Sequence, residues 1–188
     1  MATSTVSGQA DTLPRVALVT LAVALVGQTI WTVRLIAVAG ASFAALWRPT
    51  LFSAAFLLVL ATRGHARAVN VAGRLMIGLA FLLALWSRFQ NFSGFVRYAG
   101  SVLSFVPSGA VFSLAVAATI CEVTLCVAMF TGVKAQWASA ASAVLLFMFA
   151  TSMVISGLDQ FEWAVYVLSA GAFVLATSPR QATRIGTS

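Results

Sequence analysis

Between Val16 and Thr177 the sequence repeats one event: a long apolar run, then a short polar break in which most charges are basic. A helix crosses the hydrocarbon core with about 20 apolar residues, and several of these runs reach or approach that length. No soluble core explains them. Of 188 residues 61% are hydrophobic and 8% charged, against roughly 25% charged in a soluble domain. A folded domain of about 150 residues still exposes some 30% of its chain surface, so this much apolar surface has nowhere to hide in water. The fold class is therefore all-α, a polytopic membrane helix bundle.

The first run, Val16 to Val33, ends at Arg34. The next, 35–62, is interrupted at Trp47–Arg48–Pro49 and exceeds what one span needs. A kinked or tilted helix starting near Gly40 fits it, with a re-entrant pair as the other solution. Further spans follow at about 71–86, at 108–131 closed by Gly132, at 136–156 closed by Gly157, and at 161–177. Pro107 suits the first turn of the helix from Ser108. A polar tail (1–14), an N-terminal transmembrane extension (15–67), a four-helix membrane domain (68–178) and a basic tail (179–188) complete the division. The tail carries no basic cluster before the first apolar run, which argues against a cleaved signal peptide.

Eleven Lys and Arg against four acids give a net charge of +7. In a soluble protein this would suggest nucleic acid; here the cations sit between spans, where they report topology and contact anionic lipid head groups. With six spans, Arg15, Arg63, Arg67, Arg74, Lys134, Arg180 and Arg184 share one side. Arg34, Arg88, Arg97 and the bend residue Arg48 fall on the other, with Asp159 and Glu162. The expected topology is a bacterial inner-membrane protein with both termini in the cytoplasm.

Small residues recur every fourth position at Gly109, Ser113, Ala117 and Cys121, and again at Ala135, Ser139 and Ala143. Such stripes let membrane helices approach closely. Cys121 and Cys126 are turned about 140° apart on a helix and do not pair with each other.

One acid, Glu122, lies well inside a span. A charged acid near the bilayer centre costs on the order of 2.5–3.5 kcal/mol on insertion scales, so it must be protonated, hydrated or paired. Arg74 is one cation within reach. A buried Arg–Glu clip and a proton or quinone site are both open. The segment 86–100, WSRFQNFSGFVRYAG, joins Arg88, Arg97 and Tyr98 to Trp86, Phe89, Phe92 and Phe95. An amphipathic interfacial anchor explains it, and so does a lid over a quinone or lipid cavity. No metal is expected: the one histidine, His65, falls in a loop, and no zinc or haem pattern occurs. No nucleotide or hydrolase motif appears either. A transporter would be expected to show repeats between its halves, and none is evident.

From Gly73 onward, GRLMIGLAFLLALWSRFQNFSGFVRY, ATICEVTLCVAMFTG and FEWAVYVLSAGAFVLA resemble the DoxX-like family of small bacterial four-helix membrane proteins, over roughly residues 70 to 178. The resemblance implies a four-helix core, to which the apolar runs before it add one or two extra N-terminal transmembrane helices. It implies Arg74, Arg88 and Glu122 as the family's polar positions, and a membrane subunit associated with an oxidoreductase. No catalytic residue is assigned. Quinone is the implied ligand, with Glu122, Arg74, Arg88, Arg97 and Tyr98 nearest its head group. Lipids and other membrane subunits are the expected partners. A structural scaffold without catalysis is the alternative. Two features depart from the family pattern: no histidine follows the third core helix near Ser156, and the apolar stretch before residue 70 is additional.

Overall fold

A computed structural model of the chain describes residues 12–40, 43–157 and 162–178. These form seven helices: α1 (Thr12–Ala39), α2 (Phe43–Ala61), α3 (Arg67–Gln90), α4 (Phe92–Val102), α5 (Ser108–Thr131), α6 (Ala135–Ile155) and α7 (Glu162–Thr177). The bundle is all-helical, as the apolar runs require. The expected tail up to residue 11, the charges Asp11, Asp159, Arg180 and Arg184, and the side chains of Arg48 and Glu162 lie outside the described residues.

Among the described residues four stretches are long and apolar enough to cross a bilayer: 12–38, 67–90, 108–131 and 135–155. The sequence reading counts six spans; in α2 and α7 only the shorter stretches Pro49–Ala61 and Trp163–Thr177 qualify as apolar helix. Helix α1 also runs past Arg34, where an end was expected. The Arg34 side chain is exposed, and a long cationic side chain can extend along a helix without disturbing the backbone. What stops α1 is Gly40 at φ +61°, a left-handed geometry that glycine adopts without a Cβ penalty. Helix α2 then forms as one piece with Pro49 inside it, the expected kink-prone arrangement.

Helix α7, 16 residues long, sits at the centre. It packs against α6, α1, α2 and α3, and Ala164, Val167, Leu168, Ala170, Ala172, Val174 and Leu175 are all buried. Small residues make this approach possible. Gly171 faces the ring of Phe56 so closely that any β-carbon there would collide with it. Ser169 Oγ donates to the Ala143 carbonyl of α6 at 2.7 Å. On α6 the stripe faces inward: Ser139 is 1% exposed and Ala143 8%.

Helix α5 turns differently. Its buried face is Val111, Ala115, Glu122, Cys126 and Met129. The stripe Gly109, Ser113, Ala117 and Cys121, expected to meet a neighbouring helix, is exposed along its length. Successive residues of a helix are about 100° apart, so bringing Glu122 inward turns Cys121 and its stripe away. A buried acid needs a partner more than small residues need a neighbour.

Candidate functional site

Glu122 lies fourteen residues after Ser108 in α5, about 21 Å along the helix at 1.5 Å per residue. Its side chain is 1% exposed, and Arg88 in the last turn of α3 covers it. The guanidinium grips the carboxylate with both terminal nitrogens: Nη1 donates to Oε2, and Nη2 donates to Oε1 at 2.7 Å. Bidentate geometry of this kind is among the strongest hydrogen-bonded pairings available to side chains. Below it, α3 and α5 are held by close packing. A β-carbon at Gly78 would come 3.2 Å from the Phe130 ring and 3.3 Å from Met129, and Cys126 Sγ points at the Gly78 carbonyl at 3.5 Å. The Arg88 guanidinium also lies 4.0 Å from the centroid of the Phe95 ring on α4, a cation–π arrangement.

Three residues after Arg88 the helix breaks. Asn91 adopts φ −151°, ψ 74°, and α4 restarts at Phe92. Asn91 Oδ1 accepts from the Gly94 backbone N–H at 2.8 Å and from Ser93 Oγ at 3.2 Å, the standard way an asparagine caps a helix N-terminus. Helix α4 packs on the first half of α5, through Ala99 against Val111 and Ala115. At the far end of α4, Ser156 Oγ donates to the Val102 carbonyl at 2.5 Å, which ties it to the end of α6.

Beside the break lies a cavity of about 970 Å³. Its walls come from α2 (Pro49, Phe52), from α3, from α4 and from the N-terminal part of α7, with Met153 and Gly157 at the end of α6. Most of the lining is apolar. Among the described residues its polar side chains are Ser87, Arg88, Asn91 and Tyr98. Asn91, Gly94, Phe95 and Tyr98 recur at helical spacing, so one face of α4 looks into the cavity. A mostly apolar hollow of this size with a few convergent polar groups is the usual form of a small-molecule site.

The structure thus separates the residues that the sequence groups together. Glu122 and Arg88 meet, and Tyr98 shares the cavity wall with Arg88. Arg74, read as within reach of Glu122, lies instead at the opposite end of α5. A β-carbon at the cap residue Gly132 would come 2.8 Å from Arg74 Nη1, a place where a cation complements the helix dipole. Arg97 is exposed and is not among the lining residues. Of the four aromatic anchors, Trp86 and Phe89 point outward, at 64% and 72% exposure. Phe92 is engaged edge-on with Phe112 of α5, and Phe95 lies under Arg88.

Sequence reasoning missed Pro49, Phe52 and the α7 wall. Pro49 carried a signal, since a proline inside an apolar helix marks a local defect; the α7 residues carried none. Among the described residues no group of three or more His, Cys, Asp or Glu could hold a metal ion. The sequence matches no family model, and neither a curated protein nor a solved structure is significantly similar to it.

Proposed function

We propose that this multi-pass membrane protein is a subunit associated with a bacterial oxidoreductase or electron-transfer complex, sited in the inner membrane with both termini in the cytoplasm. In this reading the cavity beside Arg88 receives the head group of a lipid-soluble quinone. The observation that carries it is the cavity itself: an apolar hollow whose polar wall is built at a break between two helices. Arg88 reaches Glu122 from the last turn of α3, and non-helical backbone within a bilayer is tolerated only where it is buried in protein or lines a water-filled cavity. Discontinuous helices of this sort recur at binding sites of membrane proteins. The resemblance of residues 70 to 178 to DoxX-like proteins points the same way.

The test is occupancy. Ala84 lines the cavity without taking part in the ion pair, and Ala84→Phe would put a ring into the space a head group needs. The full chain, purified in mild detergent with whatever accompanies it, is expected to carry quinone by mass spectrometry, and the variant to lose it. Equal quinone in both, or none in the wild type, would sink the proposal.

The exposed small-residue stripe of α5 favours a second reading, a scaffold that seats other membrane subunits on that face. Stoichiometric protein partners with phospholipid and no quinone would support it.

A further inference from the structure

Helix α4 is set off from the rest of the bundle. It is bounded by two breaks, Asn91 at φ −151°, ψ 74° on one side and the turn 103–107 on the other. A helix between two such points can rock as a unit without unwinding. Its buried contact with α5 is a small cluster of its own, Ala99 with Val111 and Ala115, separate from the main core. Alanine buries little apolar area, so parting this contact costs correspondingly little. Elements with few buried contacts are where a folded protein opens locally.

The faces of α4 differ in chemistry. Asn91, Gly94, Phe95 and Tyr98 line the cavity. On another face Ser93, Arg97 and Ser101 recur at every fourth position, and all three are exposed. Two hydroxyls and a guanidinium in a row belong in water or among head groups rather than in hydrocarbon. Helix α4 is therefore a wall with the cavity on one side and the polar phase on another.

Its two ends are held differently. Near Asn91, Phe92 packs edge-on against Phe112 of α5, and Phe95 lies under the Arg88 guanidinium. The far end is tied to α6 by a side chain. Ser156 Oγ, at the C-cap of α6, donates to the Val102 carbonyl at 2.5 Å and lies 3.5 Å from Ser104 Oγ.

We propose that α4 is a hinged lid, pivoting at Asn91 and latched by Ser156, whose opening joins the cavity to the polar phase outside it. Hinges of this kind are a few residues at the ends of elements that absorb the backbone change. The aromatic contacts near Asn91 stay in place while the end that carries Ala99 and Val102 lifts. The lid works in the same way whichever molecule fills the cavity, so it stands or falls apart from the quinone reading.

The native thioether of Met153, which lines the cavity, reports on access from water, because oxidation converts it to the sulfoxide. The full chain in nanodiscs is treated with chloramine-T, a charged oxidant, and Met153 sulfoxide is followed by mass spectrometry. A methionine peptide added to each sample calibrates the dose. Losing one hydrogen bond shifts an opening equilibrium by roughly fivefold, so Met153 in Ser156→Ala should oxidise about fivefold faster than in the wild type. A second variant closes the latch. Ser104→Cys with Ser156→Cys, in a chain that also carries Cys121→Ser and Cys126→Ser, replaces two facing hydroxyls 3.5 Å apart with a disulfide. The disulfide form should protect Met153, and the protection should be lost when the same protein is reduced and alkylated. Equal Met153 oxidation in the disulfide and alkylated forms, or no acceleration in Ser156→Ala, overturns the lid. Either result leaves the quinone content of the wild type, and the function proposed from it, as they were.

Discussion

Helices α5 and α6 are close to interchangeable on paper. Both are apolar throughout, both are long enough to span, and both carry small residues at every fourth position. Yet α6 buries its stripe, with Ser139 at 1% exposure, while α5 leaves Gly109, Ser113, Ala117 and Cys121 outside. The difference is one residue. Glu122 has to face Arg88, and a rigid helix that turns one position inward turns the others with it. Small residues permit close packing but do not compel it; a buried charge compels a particular rotation.

The comparison breaks hardest at the ion pair. Removing one partner of a buried pair typically costs about 3–5 kcal/mol, because the other charge is left unmatched. Glu122→Ala or Arg88→Ala should therefore lower the thermal midpoint of the detergent-solubilised chain steeply. The double change Arg88→Met with Glu122→Leu should recover most of that loss, since a well-packed apolar pair is often as stable as the ion pair it replaces. If each single variant melted like the wild type, the pair would not be what sets the rotation of α5.

Enlarging one residue in each stripe sharpens the contrast. Ser139→Leu forces extra volume into a packed interface of α6 and should cost about 1–3 kcal/mol. Ser113→Leu on the exposed face of α5 should stay within about 0.5 kcal/mol for the isolated chain. Similar losses at both positions would mean that the α5 stripe is covered after all. In the scaffold reading, Ser113→Leu leaves the melt unchanged but releases the co-purifying partner. Between Ser139→Leu and Ser113→Leu in size falls Ser169→Ala, which removes one side-chain hydrogen bond to α6 and should cost about 1 kcal/mol in the same assay.

Much of this was legible in the sequence. The apolar runs fixed a helical membrane bundle because a bilayer accepts little else. Glycines at 132 and 157 marked helix ends, and Pro49 was expected inside a single helix. Glu122 stood out as an acid in need of a partner, and Arg88 and Tyr98 belonged to the segment that supplies the cavity wall.

What periodicity could not settle was which cation reaches Glu122. Arg74 and Arg88 lie on the same helix, one near each end. The choice between them is made by how α3 and α5 align, which depends on Gly78 seating against Met129 and Phe130. The break at Asn91 was likewise hidden, because an asparagine between aromatic residues reads as a polar exit from a span as easily as a cap that restarts a helix. Only the tertiary structure brought Pro49 and the α7 wall to the cavity. These residues are far apart along the chain, and no local pattern records which helices will be neighbours. The sequence by itself determined that the chain folds as apolar helices and which charges must be answered. The packed structure decided which charge answers which, and where the space is left between them.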